Sequence, residues 1–305
     1  MTAGGTVDVI LNVRAGAGHD ASIATTLAGV FLAEGETARV ISADPGKDDL
    51  TGLARHAAEA GARAVVAAGG DGTVSCVAAG LAGTQTPLGV IPLGTLNHFA
   101  KDAGIPRSMQ EAVRAIVAAH VTTVDVGDVN GRTFINTSSL GLYPQLVQSR
   151  ARHQRNGQRK WAALLLASLD VLRHYSFVKV RLTTGDRRLV RRTPLVMIGN
   201  NRYEMQTLAV GSRSSLAKGQ LSVYITHQGS PLALAGLAAR AVFSRLNVAR
   251  DLDVLIVEEI QIETRSRSVL VATDGEVTTM AMPLHYRIRP GALRVIVPAP
   301  PPGMS

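Results

Sequence analysis

The chain has 305 residues, 46% of them hydrophobic and 18% charged, a balance that excludes a disordered polymer and leaves room for two domains. Its one cysteine, Cys76, excludes an intrachain disulfide and makes a reducing compartment the default, while 4% aromatics leave the core to Val, Leu, Ile and Ala. A formal net charge of +9 suits an anionic partner, whether nucleotide, nucleic acid or acidic membrane surface.

Strand and helix signals alternate from Thr6 to about Ala119. Strands are expected at Val7–Val13, Ala38–Ser42, Ala64–Ala68 and Pro87–Ile91. Helices are expected at Ala21–Ala33, Asp48–Ala60, Thr73–Ala82 and Ser108–Ala119. Such alternation predicts a parallel sheet with helices on both faces, whose ligands bind at the carboxyl ends of the strands. After about Val121 short strand-like runs separated by turn signals take over: Thr122–Val129, Thr133–Ser138, Val178–Thr183, Arg188–Thr193, Leu195–Gly199, Leu221–Thr226, Asp253–Glu263, Ser268–Ala272 and Leu284–Arg289. Asn130-Gly131 and Gly185-Asp186 are hairpin signals, so this half is mostly antiparallel. Helices are expected there at about Lys160–Arg173 and Pro231–Leu246, and Ala292–Val297 reads as a final strand before a Pro-rich tail. The N-terminus lacks a basic region followed by an apolar run, so no signal peptide is expected. Residues 161–172 and 231–243 are interrupted by charge and fall short of a membrane span.

Chemistry concentrates in four stretches. The first is Gly69-Gly70-Asp71-Gly72-Thr73, which follows an apolar strand and opens a helix. Three glycines remove the side chains that would hold a bulky anion away, and Thr73 is placed to cap a helix whose free N–H groups favour phosphate. Asp71 would repel phosphate unless a cation lies between, which points to a nucleotide with Mg²⁺ or to a carboxylate that takes a proton during phosphoryl transfer. The second is Pro92–Ala100, in which Gly94 permits close approach, Thr95 offers a hydroxyl and Asn97 both donates and accepts. An ordinary turn and helix cap would read the same way. The third is Thr273-Asp274-Gly275-Glu276, either a simple β-turn or paired carboxylates for Mg²⁺ handling and general-base work. The fourth is Asn12-Val13-Arg14-Ala15-Gly16, either a solvated loop or an adenine or phosphate contact.

Together with Asp125 and Phe134-Ile135-Asn136-Thr137-Ser138-Ser139-Leu140-Gly141, these stretches resemble the bacterial diacylglycerol kinase-type lipid kinases, relatives of sphingosine and ceramide kinases. Their order and spacing span nearly the whole chain. The resemblance implies an α/β fold: an N-terminal three-layer nucleotide-binding domain (1–122 with 291–305) and a C-terminal antiparallel β-sandwich lipid-substrate domain (123–290). It places the active site in the cleft between them and returns the last strand to the first domain. It implies transfer of the ATP γ-phosphate to the hydroxyl of a lipid such as diacylglycerol. Carried over by position, Asn12, Ser42, Gly69, Gly70, Asp71, Gly72, Thr73, Val74, Ser75, Thr95 and Asn97 would hold ATP. Asp71 and Asp274 would manage Mg²⁺ through water, and Glu276 would be the proton acceptor.

Three positions depart from that pattern. Asn-Val-Arg-Ala-Gly replaces the usual Asn-Pro-x-Ser-Gly, His98 stands where an aspartate is common, and Lys218 occupies the place of an aspartate that binds a structural Mg²⁺ in related enzymes. An ammonium cannot ligate Mg²⁺, so no structural metal is expected there. The stretch from Ser149 to Lys160 carries Arg150, Arg152, Arg155, Arg159 and Lys160 without an acid. It reads as a solvated loop or as a dock for anionic lipid headgroups, with Trp161 and an apolar run following. Interleaved aromatics are missing, so nucleic acid is not expected. The protein is placed in the cytoplasm, with peripheral attachment at the inner membrane face, and a homodimer stays open. An NAD kinase, and a pseudokinase that binds lipid or nucleotide without turnover, are the competing readings. The Pro92–Ala100 run argues against the first, and the three retained carboxylates argue against the second.

Overall fold

The computed structural model describes residues 5–14, 21–142, 144, 177–203, 213–226 and 252–299. The chain divides into two compact units, Met1–Val126 with Arg289–Ser305, and Gly127–Ile288. The helices expected near residues 160–173 and 231–246, and the basic stretch 149–160, lie outside the described residues.

The first unit is built on four parallel strands, β1 (Val7–Asn12), β2 (Ala38–Ala43), β3 (Ala64–Gly69) and β4 (Leu88–Pro92), in the order β2-β1-β3-β4. β3 and β4 are buried along their whole lengths, which is why they read as unbroken apolar runs. Helices α1 (Ala21–Ala33) and α5 (Met109–Ala118) cover one face, and α2 (Leu50–Glu59) and α3 (Asp71–Leu81) the other. α5 begins where Ser108 and Glu111 form the start of a capping box, with the Glu111 N–H donating to Ser108 Oγ at 3.5 Å. α3 lies close on α2 because Gly80 has no side chain; a Cβ there would come within 2.4 Å of the Thr51 carbonyl. A short helix, α4 (His98–Asp102), follows β4.

The second unit is a β-sandwich. One antiparallel sheet runs β12 (Leu252–Val257), β11 (Leu221–Thr226), β10 (Leu195–Asn200), β7 (Thr137–Gly141), β14 (Ser268–Thr273), β15 (Glu276–Ala281). Facing it are β9 (Arg187–Thr193), β8 (Val178–Thr184), β13 (Glu259–Glu263) and the first part of β16 (Leu284–Ile296). Side chains from both sheets, including Leu140, Val196, Ile198, Val223, Val180, Leu182, Ile262 and Tyr286, make one core. β5 (Val121–Val129) pairs through Gly127–Val129 with β6 (Arg132–Phe134), and Gly127 is required because a Cβ would enter the Phe134 ring.

Four elements differ from expectation, each for a local reason. The helix after the glycine loop starts at Asp71, with Gly70 as its N-cap, so Thr73 is buried inside the first turn and does not cap it. The run from Thr133 to Ser138 is broken because the amides of Ile135, Asn136 and Thr137 donate to Asp274 instead of to a ladder. The run from Asp253 to Glu263 splits at Glu258, where the chain leaves one sheet for the other. Finally, 284–296 is one strand: Pro290 lacks an N–H, but the Gly291 N–H donates to the buried Asp125 carboxylate at 2.9 Å and pairing resumes, Val295 lying beside Leu88 of β4. Among the described residues no helix is long and apolar enough to cross a membrane.

Candidate active site

In the first unit the end of β1 and the loops after β3 and β4 meet at the carboxyl edge of the sheet. The strand order places β1 between β2 and β3, so the connections from β1 and β3 leave in opposite directions and open a crevice there. Asn12, the last residue of β1, crosses that crevice: its Nδ2 donates to Thr73 Oγ1 at 2.8 Å, and its Oδ1 accepts from the Arg14 N–H at 2.8 Å.

The glycine loop is held by close backbone approach. A Cβ on Gly69 would lie 2.4 Å from Thr73 Oγ1, and a Cβ on Gly94 would lie 2.6 Å from Gly70 Cα. The loops after β3 and β4 are thus stacked glycine on glycine, and the Leu93 N–H donating to the Gly69 carbonyl at 2.9 Å ties them. The first intrahelical bond of α3 runs from Val74 N–H to the Gly70 carbonyl, which leaves the amides of Asp71, Gly72 and Thr73 ahead of the helical ladder. Gly72 is exposed, with nothing within 4 Å of where a Cβ would be. Three amides on a helix N-terminus beside an open glycine fit a polyphosphate. Gly94→Ala is expected to push these loops apart; a shift of about 1 Å at such a site costs about a hundredfold in rate, which kcat measured with ATP would show.

Asp71 is half-buried at the first turn of α3, and the Phe99 N–H of α4 approaches its Oδ1 at 3.4 Å. Its carboxylate is the one within the glycine loop, and among the described residues no group of three His, Cys, Asp or Glu could hold a metal ion unaided. That fits Mg²⁺ as it is usually held with nucleotides, by one or two carboxylates plus substrate phosphates and water. The other first-unit candidates divide. Thr95 and Ser42 are exposed on the loop after β4 and near the end of β2. Val74 is buried in α3, and Ser75 is half-buried one residue further on. Asn97 has another use: with φ 49° it folds back, its Oδ1 accepting from Gly94 N–H at 3.2 Å and its Nδ2 donating to the Gly94 carbonyl at 2.7 Å.

Residue composition alone did not point to the clip between Arg14 and Asp44. The guanidinium meets both carboxylate oxygens, Nε to Oδ1 at 2.7 Å and Nη2 to Oδ2 at 2.8 Å, beside the same sheet edge. The Gly46 N–H, and then Arg14, hold the Asp44 carboxyl below the usual carboxylate range.

Asp274 and Glu276 lie in the second unit and have separate tasks. Asp274 and Gly275 are the two turn residues of the β14–β15 hairpin, with φ of 49° and 89°, the left-handed pair of a type I′ turn. The Asp274 carboxylate turns back to accept three backbone N–H bonds, from Ile135 at 2.8 Å and from Asn136 and Thr137 at 2.9 Å. It organises the turn before β7. Opposite, the buried Arg213 donates to the Ile135 carbonyl at 2.6 Å and to Asn136 Oδ1 at 3.0 Å, so the turn is gripped from two sides. Glu276 is the first residue of β15 and its side chain is 55% exposed. Arg132 fixes it: Nη2 donates to Glu276 Oε2 at 2.6 Å, while Nε and Nη1 reach Thr273 and Thr278 hydroxyls at 2.7 and 2.9 Å. The sequence gives Arg132 no signal, because its value depends on which strands meet β6.

Of the departing residues, His98 begins α4, one residue before the amide that faces Asp71. Lys218 is exposed, and its backbone N–H donates to Asn201 Oδ1 at 3.0 Å. Dialysis against EDTA is therefore expected to leave the melting temperature of the ligand-free protein unchanged, as a thermal melt would show.

This combination of a parallel α/β unit, a glycine-rich cradle and a β-sandwich defines a class, and comparison with known proteins gives its family. The diacylglycerol kinase catalytic domain matches residues 6–129, and the YegS C-terminal NAD kinase beta sandwich-like domain matches residues 143–297. The chain belongs to the diacylglycerol kinase family of lipid kinases. It is 30% identical over 259 residues to a diacylglycerol kinase of Mycobacterium tuberculosis, covering 82% of each chain. It is 42% identical over 101 residues to a probable lipid kinase YegS-like of Chromohalobacter salexigens, an alignment that spans about a third of each protein (32%). A crystal structure of a diacylglycerol kinase from Bacillus anthracis shares the fold at 23% identity, with a TM-score of 0.69 over 96% of both chains.

Proposed function

We propose that this protein transfers the γ-phosphoryl group of ATP, with Mg²⁺, to the hydroxyl of a lipid such as diacylglycerol, as a peripheral protein at the inner membrane face. The observation that carries the reading is the glycine-on-glycine cradle, with three helix N-terminal amides and one carboxylate in the same turn. When bound, ATP with Mg²⁺ supplies the phosphoryl group and the charge neutralisation that such transfers depend on. The amides of Asp71, Gly72 and Thr73 would hold phosphate, Gly72 leaving the space for it and the stacked Gly69, Gly70 and Gly94 setting the shape of the cradle. Asp71 would hold the metal through water. Glu276, oriented by Arg132, would take the proton of the acceptor hydroxyl at a carboxylate oxygen. Asp274 would serve this chemistry by setting the hairpin that carries Glu276.

Nucleotide thermal shifts test the donor. ATP with Mg²⁺ at about a hundred times its Kd is expected to stabilise the protein by ~2.7 kcal/mol, visible as a rise of several degrees. NAD with the same metal should give a smaller rise; the reverse order would favour an NAD kinase. For the acceptor side, Glu276→Gln should lower kcat by about 10² to 10⁴-fold with KM for ATP unchanged. Equal kcat in this variant would move the base elsewhere.

A further inference from the structure

One face of the second unit carries a row of cations that the candidate site does not use. β8 alternates: Val180 and Leu182 are buried, Lys179 and Arg181 exposed. The register puts Lys179 opposite Arg192, Arg181 opposite Val190 and Thr183 opposite Arg188, so β9 adds two arginines to the same face. On the other side of β8, Glu263 of β13 lies opposite Arg181 and pairs with it at 3.0 Å. Arg287 of β16, opposite Glu259, lies beyond that row and is matched by Asp128 at 3.5 Å. A cavity of about 510 Å³ opens on this face, lined by Lys179, Arg181 and Arg265 with Val190, Met282 and the carboxylate of Glu263, whose charge is met by Arg181. Among the described residues Lys179, Arg188 and Arg265 have no acidic partner.

Charges along an edge strand commonly prevent strand addition by another chain, and β9 is an edge. That explains Arg187 and Arg191, the latter bonded to Asp253 of β12 at 2.9 Å. It does not explain Lys179, on a strand flanked by β9 and β13, or Arg265 in the loop after β13.

We propose that this face docks on an anionic phospholipid bilayer, with the cavity receiving one phosphate headgroup. The two strands of seven residues give a surface roughly 23 Å long, of the kind a planar bilayer can meet along its whole length. Val190, 49% exposed among the cations, supplies an apolar side chain to enter the headgroup layer. Nucleic acid would call for stacking rings, and Phe177 beside this face lies under Arg192, 4.9 Å from its centroid. A folded acidic protein would be met by aromatic anchors, and the face offers an aliphatic one. The site rests on the lipid-kinase reading only for its purpose, since membrane binding does not need turnover.

Vesicle sedimentation of the full chain tests it, with phosphatidylcholine alone and with added phosphatidylglycerol. The wild type is expected to sediment only with the anionic vesicles. The triple variant Lys179→Gln, Arg188→Gln, Arg265→Gln, all exposed side chains, should keep its melting temperature. It should lose about fivefold in partitioning per cation, about a hundredfold in all. Unchanged partitioning of the variant, or no anionic binding by the wild type, overturns the proposal. So does displacement by free glycerol phosphate at the ionic strength of the assay, which would make the cavity a soluble-phosphate site. Loss of RNA binding in the variant with vesicle binding intact would overturn it in favour of nucleic acid. Phosphotransfer to detergent-dispersed diacylglycerol should be unaffected by the triple change. Failure of the wild type in that assay, with vesicle binding intact, contradicts the kinase reading and not this one.

Discussion

Asp71→Ala is expected to lower phosphotransfer by about a thousandfold or more, the scale of removing one preorganised electrostatic contact from a reacting centre, while the protein stays folded. The carboxylate is half-buried and its hydrogen bond with the Phe99 N–H is long, at 3.4 Å. Losing that bond and a favourable charge in the first turn of α3 costs about 1 kcal/mol or less. The helix itself starts on Gly70, whose conformation the substitution leaves alone. Turnover and stability should therefore separate: a melt within a few degrees of wild type, with labelled phosphate no longer reaching lipid. A variant that unfolds would show that Asp71 serves the fold instead.

Asp274→Ala is expected to behave in the opposite way, losing stability first. Its carboxylate satisfies three consecutive amides, and no other described acceptor is placed to replace it. An amide left without a partner costs ~1–3 kcal/mol when buried, and this turn is partly open to water, so a total of about 3 kcal/mol is reasonable. For a unit of this size that is a fall of roughly 10 °C in Tm. Asp274→Asn is the informative partner. Its single carbonyl oxygen can still accept from Asn136 and Thr137, while its NH₂ group faces the Ile135 amide, donor against donor. Intermediate stability with activity reduced in step supports the turn-organising role. Wild-type stability with activity abolished would instead make Asp274 a metal ligand.

Most of the fold was legible because it is written in local pattern. β3 and β4 are apolar throughout because they are covered on both faces, and α5 announces itself by Ser108 and Glu111. What could not be read was settled by contacts distant in sequence. The break at residues 135–136 depends on a carboxylate 138 positions later, and the continuity of β16 through Pro290-Gly291 depends on Asp125, 166 positions earlier. β15 escaped notice because Glu276–Ala281, half-exposed and rich in threonine, lacks the apolar alternation that marks a strand.

The candidate site divides in the same way. Gly69, Gly70 and Gly94 were visible because a close approach of backbones demands glycine, whatever the partner, and Asp71 because a carboxylate among them is out of place without a cation. Thr73 and Asn97 were visible as polar residues with a purpose: Thr73 as a helix cap, a place that Gly70 takes, and Asn97 as a donor and acceptor or as an ordinary turn and cap residue, which it is. Thr73 is tied to Asn12 and Asn97 to Gly94, each fixing a loop of the cradle. Arg132 and Arg213 were invisible, and Arg14 was legible as a loop residue but not as the partner of Asp44, since an arginine gains meaning only from the acceptors that the fold brings to it.

The measurement closest to the central claim is transfer of label from γ-labelled ATP to a panel of lipid alcohols (diacylglycerol, monoacylglycerol, ceramide and sphingosine) by the purified wild type and Asp71→Ala side by side. A labelled, organic-soluble phosphomonoester is expected from at least one lipid, dependent on Mg²⁺ and absent with Asp71→Ala. No labelled lipid from the wild type, or equal labelling by the variant, would contradict it.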